Sequence, residues 1–201
     1  MNQAILVSRG FVNSQGNSSN AIQLRDLVEW INKIYSETIL SPFSITSANE
    51  FQGIASSLVK GIDIILAIEE YIVEEELELK LKYVLCNQTI ESSESEDDTY
   101  ERTSEGLANA KNRLDEIKKE KDRMFIMGEE ELNKMMRITQ HFIDGWYPKD
   151  RSTVAGFLQG RDYKEMSEMQ HKDSSSLWRK RKSLAIDEYL LCKEMIHHLM
   201  S

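Results

Sequence analysis

Two rhythms of apolar residues run through this chain of 201 residues, and the change from one to the other divides it. Ala4–Val7 is a short apolar run that reads as a buried strand. Asn13–Asn20 is polar, a loop whose serines can cap the next helix. Ile22, Leu24, Leu27, Val28, Ile31, Ile34 and Tyr35 then recur at helical spacing, and Pro42 sets the end of that helix near Leu40. Phe43–Ala48 alternates as a strand does; Glu50–Ala55 is a second short apolar stretch, and Asn49 between them predicts a hairpin. Leu58, Ile62, Ile65, Leu66 and Ile68 predict a second helix. Leu77, Leu79, Leu81, Tyr83 and Leu85 predict a strand by their alternation. A third helix is predicted from Ser104 to about Lys121, and a last strand over Arg123–Met127.

From Glu129 onward the period is helical throughout: Glu130–Ile143, Asp150–Leu158, Tyr163–Gln170, then one long helix from Ser174 to about Leu199. The fold class expected is therefore α+β. Residues 1–128 contain a βαββαβ unit, the split-βαβ or ferredoxin-like plan, and residues 129–201 form an all-α domain, with the boundary near Gly128. Trp146-Tyr-Pro148 reads as a helix stop that packs the two domains together. No internal repeat is visible.

Charge changes this picture. The net charge is −9, yet residues 145–201 hold ten Lys and Arg against eight Asp and Glu, a balance of +2 that leaves −11 on the first 144. Much of the acid lies in Glu91–Glu101, which has no apolar pattern and is expected to be a solvated loop. Between Lys172 and Leu184 there are five cations and one anion. Cys86 and Cys192 form no CxxC pair, which fits a reducing compartment. The first residues do not read as a signal peptide, and no run approaches the about 18 apolar residues that span a bilayer. A cytoplasmic protein without membrane contact is expected.

The basic block follows a short helix and a tight turn. Tyr163, Met166 and Met169 give the first helix its apolar stripe, Lys172-Asp173 makes the turn, and Asp173 or Ser174 can cap the next helix. Leu177 and Leu184 can anchor that helix inward, and Trp178 reads as core or dimer packing. This is the layout of a helix-turn-helix reader of double-stranded DNA. Its candidate contacts are Lys172 in the turn, Ser174, Ser175 and Ser176 in the first helical turn, and Arg179, Lys180, Arg181 and Lys182 toward phosphate. Four consecutive cations span slightly more than one helical turn, so two or three of them can reach one groove. The same run also fits a solvated helix face or cations paired with the protein's own acids.

Ser41-Pro-Phe-Ser-Ile-Thr and Ser44-Ile-Thr-Ser-Ala-Asn-Glu-Phe-Gln-Gly53 resemble the SPFTIT and FTITLGDEFQG segments of the SatD family of bacterial proteins. Ile5–Ser14 is similar to that family's GDIxxSR start, and Tyr100–Leu114 to its GPAFHxAR helix. Gly160–Leu184 resembles its C-terminal TxKEIAExLGxSQSSVxKRL segment. The resemblance covers nearly the whole chain and implies a palm-like N-terminal half akin to nucleotide cyclases and diguanylate cyclases, where two aspartates hold divalent metal. Here Gly10 stands at the first Asp, Asn13 at the second in that motif, Ala48 at the Gly and Asn49 at the Asp of GDEF, while Glu50 is kept. One carboxylate cannot assemble a two-metal centre, so the resemblance implies a catalytically degenerate domain. Asn13, Asn49, Glu50 and Gln52 remain as candidate ligand-binding residues, with a nucleotide as candidate ligand.

Other chemistry is thin. His141 sits alone on a periodic helix, His197 and His198 do not share a helix face, and no GxSxG, HExxH or GxxxxGK[ST] occurs. No catalytic residue, metal site or cofactor is expected. The reading is a DNA-binding regulatory protein, a non-enzyme, whose apolar tail from Ile186 to Leu199 can pack on the body or pair with a second copy as a homodimer. The alternatives are a nucleotide-binding or nucleotidyl-transferring signalling enzyme and a protein-interaction adaptor.

Overall fold

Four adjacent apolar residues that are all buried, Ala4, Ile5, Leu6 and Val7, require a strand covered on both faces. In the computed structural model, which describes residues 2–10, 18–89 and 96–200, that strand is β1 (Asn2–Gly10), in the middle of a five-stranded mixed sheet. The others are β2 (Ile39–Ser47), β3 (Glu50–Ala55), β4 (Leu81–Thr89) and β5 (Met124–Ile126), in the order β2-β3-β1-β4-β5. Neighbours run antiparallel except β4 and β5, which are parallel. A parallel pair needs a crossover, and the helix α3 (Glu96–Glu116) with the 3-10 turn Ile117–Lys119 lies in that connection.

The pleat sorts the side chains. Ile5 pairs with Ile54 and with Cys86, so these share one face with Val7 and Val84, and α3 covers it with Ala110 and Leu114, joined by Ile117. Ala4 and Leu85 point the other way, toward the helix α2 (Leu58–Glu74). A Cβ on Gly61 of α2 would stand 2.7 Å from a Leu85 methyl and 3.3 Å from the Ala4 Cβ. The helix α1 (Ser18–Ile34) buries Leu24, Leu27, Val28 and Ile31, an i, i+3, i+4, i+7 stripe. Its Asn32 donates from Nδ2 to the Phe43 carbonyl (2.8 Å) and accepts the Phe43 N–H (2.7 Å). Asn133 makes the same pair of hydrogen bonds with Ile126 of β5, donating from Nδ2 to its carbonyl and accepting its N–H, each at 2.7 Å.

The remaining helices are α4 (Glu130–Asp144), α5 (Arg151–Leu158), α6 (Tyr163–Gln170), α7 (Ser174–Ser183) and α8 (Ile186–Leu199), with a 3-10 turn at Pro148–Asp150. The chain clusters into two units, residues 1–68 with 78–133, and residues 69–77 with 134–201. The second unit includes the end of α2 and most of α4. Among the described residues no helix is long and apolar enough to cross a membrane.

Four expected elements differ from those observed, as does the burial of two side chains. α1 ends at Ile34, not Leu40, because the chain turns at Tyr35–Thr38 and Pro42 is carried within β2, an edge strand that tolerates it. Leu77 does not open a strand. Its N–H closes α2 on the Ile72 carbonyl (2.9 Å) behind left-handed Glu76 (φ 53°), and β4 begins at Leu81, buried on both faces. Residues 96–101, expected as loop, belong to α3; residues 91–95 lie outside the described set. Trp178, expected in core or dimer packing, is 51 % exposed and so lies outside the chain's own core, and Met169 is also exposed. The long final helix breaks at Ala185 (φ 52°). The cause is Trp146, whose indole N–H donates to the Leu184 carbonyl (2.8 Å) and whose ring meets Tyr189 edge-on at 4.9 Å, so that carbonyl is withdrawn from the helical ladder. These contacts of Trp146 lie within the second unit.

Trp146→Phe keeps most of the ring and removes the donor. Leaving a buried carbonyl unpaired costs about 1–3 kcal/mol, so the stability measured by urea unfolding under circular dichroism should fall by that amount. An unchanged midpoint would show that the bond does not hold the α7–α8 break.

Candidate functional site

The α6–turn–α7 segment is built by capping. Asp162 accepts the N–H groups of Lys164 (2.8 Å) and Glu165 (2.9 Å), and Glu165 reaches back to the Asp162 N–H (3.0 Å), a closed capping box. Met166 is the buried residue of α6 and lies so close to Gly156 of α5 that any Cβ there would collide with its sulfur. α6 ends at His171 in the left-handed conformation (φ 51°), and Lys172 N–H returns to the Ser167 carbonyl (3.2 Å). Asp173 then caps α7, accepting from the amides of Ser175 (3.0 Å) and Ser176 (3.2 Å) and from the Ser175 hydroxyl. Those bonds, the Ser175 hydroxyl first, hold the Asp173 carboxyl below the usual aspartate range.

Leu177 and, at the end of α7, Leu184 turn inward, 1 % and 6 % exposed. Lys172, Ser174, Ser175, Ser176, Arg179 and Lys182 are exposed, which puts most of the candidate contacts on open surface. The other two cations do not share it. Lys180 is half-buried and pairs with Asp150 (2.5 Å), itself buried; Arg181 is half-buried, pairs with Asp187 (2.7 Å) and lies over the Phe157 ring at 5.2 Å. Lys182 pairs with the same Asp187 (2.7 Å) from the outside. Lys172 donates to the Gln170 carboxamide (3.0 Å), and among the described residues neither Lys172 nor Arg179 has an ion-pair partner. The sequence could not show this pairing, because Asp150 and Asp187 lie outside the short segment that carries the pattern.

The second candidate cluster divides. Asn49 and Glu50 line a cavity of about 620 Å³ with Arg9, Gly10, Lys82, Leu114, Asp115, Lys118 and Lys119. Gln52 lines a separate cavity of about 70 Å³, so it does not join them. Asn13 lies outside the described residues. Asn49 acts as a seam: its amide donates to the Gly10 carbonyl (3.0 Å) and its own carbonyl accepts the Gly10 N–H (2.7 Å). Glu50 is held by Arg9 (2.6 Å), which also grips Asp115 (2.6 Å). Burial works against the Arg9 charge, but the hydrogen bonds to Asp115 and Glu50 outweigh it and raise the guanidinium pKa. Among the described residues no three His, Cys, Asp or Glu side chains converge as metal ligands. The cavity residues that the motif reading missed are the cations and Asp115; Lys118 and Lys119 carry no motif, and only the fold brings them to Glu50.

No family model, curated protein or solved structure matches this chain.

Asp173 and Asp187 fix the acid limit of this surface. The Asp187 carboxyl is also held low, by its bonds to Lys182 and then Arg181. Both folded-state values lie below the ordinary 3.8. Their stabilisation is therefore present above the ordinary value and is lost as pH falls through the lowered ones. The Ser175 and Ser176 amides should stay protected from hydrogen exchange down to about pH 4 and lose protection below it. Loss centred near neutrality would contradict the assignment of the cap.

Proposed function

We propose that the chain is a DNA-binding regulatory protein that reads duplex DNA through α7. The observation that carries this reading is the exposure pattern of a capped helix after a tight turn. Leu177 anchors α7, while Ser174, Ser175, Ser176, Trp178 and Arg179 all face solvent over its first two turns. A helix presented by its N-terminal residues, with short hydroxyl side chains and a guanidinium free of ion pairs, fits the major groove. Lys172, Arg179 and Lys182 are the cations placed for phosphate. Lys180 and Arg181 serve the structure: moving Lys180 to a phosphate would strand the buried Asp150 carboxylate.

The strand order β2-β3-β1-β4 with antiparallel neighbours supports a ferredoxin-like first domain extended by β5. The seam at Gly10 and Asn49 supports its reading as a degenerate member of the SatD family, used as scaffold or sensor. The helical elements from Lys134 onward support an all-α second domain. A second reading, a protein-docking module, is favoured by the exposed Trp178 ring.

Fluorescence anisotropy with labelled genomic duplexes across a salt series tests the choice. Binding at low salt should weaken steeply as salt rises. Arg179→Ala should cost about tenfold in affinity and lower the salt slope by about 1. Lys180→Ala should lower stability and leave the affinity of the folded protein within about twofold. No duplex binding in dilute buffer, beside capture of a protein partner that survives high salt and is lost in Trp178→Ala, would replace this reading with the docking one.

A further inference from the structure

The cavity beside β1 carries a charge pattern that duplex reading does not use. Its lining holds four cations, Arg9, Lys82, Lys118 and Lys119, against two acids, Glu50 and Asp115. Both acids are spanned by one guanidinium: Arg9 gives Nε to Glu50 and Nη1 to Asp115, each at 2.6 Å. Lys82 is buried and turns its ammonium onto backbone carbonyls, those of Ile117, Glu120 (2.6 Å) and, more distantly, Asp122 (3.5 Å). It thereby ties the 3-10 turn Ile117–Lys119 to the sheet. Lys118 and Lys119 ride on that turn, exposed, and among the described residues neither has an ion-pair partner. In a chain of net charge −9, two uncompensated ammonium groups on one cavity wall are a local departure that the overall charge does not explain. The volume of about 620 Å³ lies within the range of sites that take small organic ligands.

We propose that this cavity binds a small phosphate ester of mononucleotide size without a metal ion, with Lys118 and Lys119 as its charge contacts. Phosphate sites built on carboxylates need a divalent cation between like charges. Here the Arg9 guanidinium already fills the gap between Glu50 and Asp115, and no open carboxylate pair is left for an ion. The anion meets ammonium groups directly, and its two charges match the excess of two cations on the lining. Lys82 is a positioning residue, acting through the turn. The proposal stands independently of the reading of α7.

Isothermal titration calorimetry on the full chain tests it, with inorganic phosphate and AMP as probes, each in EDTA and in magnesium. Saturable binding in EDTA is expected, and Lys118→Ala/Lys119→Ala, two surface changes, should weaken it by about tenfold or more. Equal binding of both probes would place recognition in the phosphate group, and tighter AMP would add the nucleoside; either supports the proposal. Three results would overturn it: no saturable heat from either probe at millimolar concentration, binding only with magnesium, or binding unchanged in the double variant once circular dichroism confirms its fold.

Discussion

The double ladder of β1 is the constraint on which the first unit depends. This strand is hydrogen-bonded to β3 on one edge and β4 on the other along nearly its full length. Because side chains alternate, the pairing decides which residues meet α3 and which meet α2. Arg9 lies opposite both Glu50 and Lys82, and all three open to the α3 side where Asp115 waits. A slip of one residue would send Arg9 to the opposite face and leave Glu50 and Asp115 without their shared cation. The Gly10–Asn49 bonds lock the end of that register, so the hairpin asparagine is a fastener before it is anything else.

The second unit solves a different problem: how to present cations from an acidic protein. α7 gathers four in a row, and the structure sorts them by depth. Those nearest the core are held by Asp150 and Asp187, and Arg181 is further steadied over Phe157 and, at 6.0 Å, Tyr163. Exposed ion pairs add little net stability in water, so the Lys182–Asp187 pair can open at small cost, whereas the buried Asp150 cannot release Lys180 without leaving a charge stranded. Pairing here orients side chains more than it neutralises them. The break at Ala185 serves the same end, since it places Asp187 in the first turn of a new helix, beside Arg181 and Lys182.

Strong local signals were legible in the chain itself. The turn before α7 and the inward Leu177 and Leu184 are set by nearby residues, and α6 and β3 occupy the ranges that periodicity predicts; between Asp173 and Ser174 as the cap, the structure chooses Asp173. Where prediction and structure part, a hydrogen bond that periodicity does not encode decides, local in one case and distant in another. Leu77 has the alternation of a strand and is used to close a helix. The periodicity from Ser174 to Leu199 is continuous, yet an indole N–H from Trp146 interrupts it.

Sequence alone determined the order of the secondary-structure elements as far as the start of α7, the anchor residues of α7, and the absence of acids at residues 10 and 49, because each of these is written in spacing or residue type. Tertiary structure alone decided which cations stay open and which acids close the others, and it gathered Arg9, Glu50, Asp115 and Lys118 around one cavity. Coulomb attraction acts through space and not along the chain. The partner of a charge is therefore fixed only when strand register and helix packing bring distant residues together.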